Sequence, residues 1–125
     1  MQINPMCEEF RGGWKKLWEN PNPNASMTSQ DIILSSGDYD LLLIVYHYLS
    51  VVSAYESFIC PKGLTALIEG TDISNQSVYS RNLNYVNDTK LTASSGYVRN
   101  TAGGASNQND MYAIPITIYG IKFQG

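Results

Sequence analysis

Between Ser77 and Asn100 the chain sets three tyrosines and two arginines among several asparagines. Seven of these residues could act on a common ligand: Tyr79, Arg81, Asn82, Tyr85, Tyr97, Arg99 and Asn100. Aromatic rings take the C–H faces of sugars, amides and guanidinium groups hydrogen-bond to hydroxyls, and tyrosine supplies contact area at low entropic cost. If the seven side chains converge, they form a glycan-binding surface. The competing reading is the ordinary surface of an asparagine-rich β-domain.

The residue types that usually carry catalysis are sparse. His47 is the only histidine and stands in an apolar segment, which suits a core or interface position. A nucleophile–base pair would place a serine or cysteine beside it, and no Gly-x-Ser-x-Gly elbow is present. Asp38 and Asp40 flank Tyr39, with Asp31 upstream. Glycoside hydrolysis needs two carboxylates roughly 5 to 9.5 Å apart, but aspartates in a turn bond their own backbone, and we read these as turn residues. Oxygen ligands for calcium could come from Asp38/Asp40 or from Asn107/Asn109/Asp110, without the spacing of an EF-hand. Gly103-Gly104 stands in a Ser/Asn loop rather than between strand and helix, so a phosphate cradle is not expected. No Cys/His set has zinc spacing. The expectation is a protein with no catalytic residue, no metal and no cofactor, and hence not an enzyme.

The elements that would position these residues are short. The chain has 125 residues, 43% hydrophobic and only 15% charged, with a net charge of −3. That is one domain with enough apolar content for its own core. Eight basic against eleven acidic residues argue against a nucleic-acid partner, which needs a basic face. Met1 to Pro5 has neither a basic nor an apolar region and reads as part of an arm rather than a signal peptide. The longest apolar run, Leu41 to Tyr48, is too short to span a bilayer as a helix, so membrane insertion is not expected. Cys7 and Cys60 are too few for a disulfide scaffold and read as free thiols, Cys60 buried.

Residues 1–13, with Pro5 and Gly12-Gly13, lack periodicity and read as an N-terminal arm or linker; residues 14–125 read as the folded domain. Trp14–Trp18 is a strand candidate because the prolines at 21 and 23 disfavour a helix there. Asp31–Leu34, Tyr55–Cys60, Leu64–Glu69, Lys90–Ala93 and Tyr97–Arg99 are further short candidates. Ser77–Val86 alternates, with Tyr79, Leu83 and Tyr85 on one side and Ser80, Asn82 and Asn84 on the other. Thr101–Asp110 reads as a loop. In Met111–Phe123, Pro115 points to an edge, a bulge or a strand start. Leu41–Leu49 is apolar on both faces, so it is central and needs cover twice. One cover would lie on Leu42, Ile44, Tyr46 and Tyr48, as a second layer or an oligomer interface. Seven or eight short strands without a long amphipathic helix predict an all-β antiparallel sandwich or jelly roll.

Three stretches carry a resemblance. They are Lys16-Leu17-Trp18-Glu19-Asn20-Pro21-Asn22-Pro23-Asn24 with Ser26-Met27-Thr28 following, then Asp38-Tyr39-Asp40-Leu41-Leu42-Leu43-Ile44, and finally Ala113-Ile114-Pro115-Ile116-Thr117-Ile118-Tyr119-Gly120-Ile121-Lys122. From about Lys16 to Lys122 the chain resembles a small β-domain of minor structural proteins in tailed phages and prophages of Gram-positive hosts, often found at the end of tail fibres or similar appendages. The resemblance implies a structural, non-enzymatic virion protein with other virion proteins as partners, and no catalytic residues carry over. The expected function is an appendage-tip domain, homotrimeric, that binds host-surface glycan. The alternative is a capsid decoration or head-fibre protein anchored through residues 1–13, since the chain lacks a fibrous shaft of its own.

Overall fold

A computed structural model describes residues 14–49, 55–72 and 76–123, apart from the side chain of Leu49. The arm at 1–13 and Cys7 lie outside the described residues. The fold is all-β, with two antiparallel sheets and no helix among the described residues. In chain order the strands are β1 (Trp14–Glu19), β2 (Gln30–Ile33), β3 (Leu41–Leu49), β4 (Tyr55–Pro61), β5 (Ala66–Asp72), β6 (Ser77–Asn87), β7 (Lys90–Ala93), β8 (Tyr97–Asn100), β9 (Asn107–Gln108) and β10 (Tyr112–Ile121). The four-stranded sheet runs β1-β10-β3-β4. The six-stranded sheet runs β2-β7-β6-β8-β9, with β5 on the other side of β6.

Ten strands exceed the seven or eight expected. The two-residue β9 lies inside the predicted 101–110 loop and exists only through its pairing with Tyr97 and Val98 of β8. β5 runs through Gly70, where the sequence suggested a stop. A side chain at Gly70 would collide with the Tyr79 ring and come within 2.6 Å of Glu56 Oε2. The glycine is there so that another residue can lie over the strand, not to end it.

Leu41–Leu49 is central, as its two apolar faces require: β3 lies between β10 and β4. Leu42, Ile44 and Tyr46 are buried and Tyr48 packs against the core. Opposite them stand Ile32, Ile68, Leu83, Leu91 and Tyr79 of the six-stranded sheet. Each such aliphatic side chain contributes about 1.5–3 kcal/mol by leaving water. The Tyr46 hydroxyl donates across the gap to the Glu69 carbonyl at 2.7 Å. This face of β3 is therefore covered by a second layer of the same chain. The other face carries Leu41, Leu43 and Val45, all half-buried, and His47, which is buried with its ring stacked on Tyr55 at 4.6 Å.

Pro115 sits in an interior strand. The register shifts between Pro115 and Thr117, so the proline is housed in a bulge. A second shift, between Lys16 and Trp18 of β1, turns Leu17 into the core while Trp18 packs beside it. Cys60 is a buried free thiol, its pKa pushed up by burial.

Candidate functional site

Strand β6 decides which side chains meet a ligand. Its neighbours alternate across the sheet, so residues of one parity face the core. Tyr79, Arg81 and Leu83 share the core parity, and all three are buried. Ser80, Asn82 and Asn84 share the outer one. Tyr97 of β8 pairs with Ser80, and Arg99 with Val78, so both point outward from the six-stranded sheet.

Four of the seven predicted contact residues therefore do not belong to a common outward surface. Tyr79 is 2% exposed and its hydroxyl donates to Glu56 Oε2 at 2.9 Å. Arg81 is 1% exposed. Tyr85 pairs with Leu91, packs against the core edge and gives its hydroxyl to Asp88. Asn100 stands opposite the buried Ser77, and its Oδ1 accepts the Ala102 amide at 2.7 Å, which makes it a turn residue. The physical reason for Tyr79 and Arg81 is parity, since a residue two positions from a core leucine on a regular strand faces the core too.

What remains together is Asn82, Tyr97 and Arg99. Tyr97 is 38% exposed and lies in a cross-strand row Glu69–Ser80–Tyr97–Gln108. Arg99 flanks it two residues along β8, in the row Thr71–Val78–Arg99. Asn82 lies one row away on the other side, opposite Leu67. Arg99 is exposed and makes no ion pair with another described residue, whereas Lys16, Lys62, Lys90 and Lys122 each do. An aromatic face, an uncommitted guanidinium and an amide on the same outer face of one sheet can bind a polar ligand from solvent.

Arg81 acts from beneath this surface. Its Nε donates to the Ala113 carbonyl at 2.8 Å. Nη1 donates to Met27 at 2.8 Å and Ser94 at 2.7 Å, and Nη2 to Asp110 at 3.2 Å and Tyr112 at 3.0 Å. Five carbonyls from three separate segments thus converge on one planar cation. Desolvation lowers its pKa to about 10, opposed by the nearby Asp110, so it stays charged at neutral pH. Gly96 leaves room for the guanidinium, because a Cβ there would lie 2.9 Å from Nη2. The segments held in this way flank β8 and β9 and include the end of the loop between β1 and β2. That loop is pinned at its start by Asn20, buried, whose amide donates to the Pro115 carbonyl at 2.9 Å while its Oδ1 accepts the Asn22 amide at 2.8 Å.

The acidic pairs considered for catalysis or calcium have protein partners. Lys122 Nζ lies 3.2 Å from Asp38 and 3.9 Å from Asp40, and Asp40 Oδ2 accepts the Phe123 amide. Asp110 Oδ1 accepts the Gly96 amide and Asn109 Oδ1 the Met111 amide, so the 107–110 cluster shapes a turn. No group of three or more potential metal ligands occurs among the described residues. In comparisons with known proteins, no family model, no curated protein and no solved structure matches this chain.

Proposed function

We propose that the protein is a non-enzymatic structural domain of a bacteriophage virion, placed at a tail or appendage tip, and that it recognises host-surface glycan through the outer face of its six-stranded sheet. The observation that carries the reading is the juxtaposition of Tyr97, Arg99 and Asn82 on that exposed face. Tyr97 offers a ring for stacking, and the two polar groups offer directional hydrogen bonds. The sequence resemblance supplies the virion context. In a homotrimer such a surface would act three times at once, so weak single sites would suffice.

A second reading is a capsid decoration or head-fibre subunit, and one observation favours it. The outer face of the four-stranded sheet carries exposed Trp14, Tyr55 and Ile59 beside half-buried Leu41, Leu43 and Val45. Such a face suits a neighbouring virion protein. Binding of the purified protein to isolated Gram-positive cell-wall polysaccharides tests the first reading against the second. Tyr97→Ala is expected to weaken binding at least fivefold with an unchanged far-UV spectrum. Absence of binding to every polysaccharide would overturn the glycan reading and leave the second.

A further inference from the structure

We propose that the groove formed by Pro21, Asn22, Pro23, Asn24 and Ala25 is a second ligand site, built for an uncharged saccharide. This extends the saccharide-recognition reading above to another place on the molecule and rests on it. The groove is shallow and broadly open to solvent, with a volume of about 390 Å³.

Its walls carry no ionisable side chain, so nothing in it selects for a charged ligand. They carry instead two kinds of group. The pyrrolidine rings of Pro21 and Pro23 present C–H surface. The side-chain amides of Asn22 and Asn24 make no hydrogen bond with other described residues, so their donors and acceptors are free for a ligand. Each amide carries two N–H donors and an acceptor oxygen on one carbon. That is the complement of neighbouring hydroxyls on a sugar ring, and the C–H surface suits the ring's apolar face.

The loop is also ordered before any ligand arrives. Two prolines fix backbone angles. Asn20 holds one end through its bonds to Pro115 and Asn22 and through its own amide to the Ile116 carbonyl at 2.8 Å. Ala25 N donates to the Asn22 carbonyl across the turn at 3.2 Å, and Met27 N to Asp110 at 2.9 Å holds the other end. The Met27 carbonyl in turn accepts from Arg81 Nη1. A ligand entering the groove therefore does not have to order the loop, which is what preorganisation contributes to a weak polar site.

Backbone-amide NMR of the isotope-labelled protein tests the proposal. The probes are uncharged di- and trisaccharides built from glucose, galactose, mannose and N-acetylglucosamine, with sialyllactose as the charged counterpart. Each is titrated to about 10 mM, enough to fill a millimolar site. At least one uncharged probe is expected to shift the amides of Asn22, Asn24 and Ala25 in a saturable way. The double variant Asn22→Ala/Asn24→Ala, at exposed positions, is expected to weaken that binding at least fivefold while leaving the remaining spectrum in place. Asn24→Ala alone serves if the double variant disturbs the loop. Saturable shifts confined to residues near Tyr97 would overturn the groove and leave the first glycan surface standing. Equal shifts with sialyllactose would overturn the selectivity for uncharged sugars. No shift at Asn22–Ala25 with any uncharged probe would overturn the groove, whatever occurs near Tyr97.

Discussion

Arg81 and Lys62 each lead a hydrogen-bonded cluster that ties loops to the sheets, but they use charge differently. Arg81 is buried and meets five backbone carbonyls. Lys62 keeps about a third of its side chain exposed. It donates to the Gly37 carbonyl at 2.6 Å, lies 3.3 Å from Asp88, and stands 4.8 Å over the ring of Tyr39. Neutral dipoles in a dry interior hold the first cation; a half-exposed carboxylate shares in holding the second. A contact between a buried cation and carbonyls is not screened by salt, and none of its acceptors titrates. An exposed ion pair is worth about 0–1 kcal/mol and fades with ionic strength. The lesson is that the cluster beneath the candidate ligand surfaces is the stiffer of the two.

Breaking the first cluster has the largest expected effect. Arg81→Met strips the donor from the five carbonyls and is expected to cost on the order of 4 kcal/mol in urea unfolding. Arg81→Lys recovers part of that at best, because an ammonium has three donors and no planar fork. A loss below about 1 kcal/mol, typical of an ordinary surface change, would end the comparison. Next in size is Gly96→Ala. Its Cβ would lie 2.5 Å from the Asn109 carbonyl and 2.6 Å from that of Tyr112, so it crowds the same segments and presses on the guanidinium while leaving its charge in place. A cost of about 2 kcal/mol by thermal unfolding is expected.

The smallest effect sharpens the contrast. The Tyr85 hydroxyl first, and then Lys62, hold the Asp88 carboxyl below its ordinary 3.8. A carboxyl depressed in the folded state stabilises above its unfolded pKa, and the contribution disappears as pH falls through the folded value. Asp88→Asn should therefore lower stability slightly at neutral pH and flatten the stability profile below about pH 4. In about 1 M NaCl the neutral-pH difference should shrink, while that of Arg81→Met should persist. Equal salt sensitivity for the two variants would show that burial does not separate the clusters.

Much of the sandwich is legible in the sequence, because strands announce themselves by alternation and by turn residues. The two apolar faces of Leu41–Leu49 place it in the centre of a sheet, and Pro115 points to an edge, a bulge or a strand start, of which the structure has the bulge. The extra strand β9 is not legible, since two polar residues carry no pattern and their pairing is set by β8. Four of the seven candidate residues lie off the common outer face, because residue type does not fix the side of a strand on which a residue stands. The corrective signal is present: Arg81 sits midway between Tyr79 and Leu83, so it shares their face. An arginine at a core position needs buried acceptors. Here those acceptors are carbonyls, which have no residue identity, so no sequence pattern names the segments that supply them. The groove at Pro21–Ala25 follows from the same kind of tertiary anchoring through Asn20.

The order of strands in the four-stranded sheet has a consequence for how the protein reaches its fold. β10 is the last strand of the described chain yet occupies an interior place, with β1 on one side and β3 on the other. Until it arrives, β1 has no partner in that sheet, and the Ala113 and Tyr112 carbonyls that Arg81 needs are absent. By contrast, β6 pairs with β5 and β7, its neighbours in sequence. This topology predicts that the local β5-β6-β7 hairpins form before the long-range insertion of β10, which belongs to the slow class of closure. During synthesis the Arg81 guanidinium therefore lacks two of its five acceptors until β10 has left the ribosome.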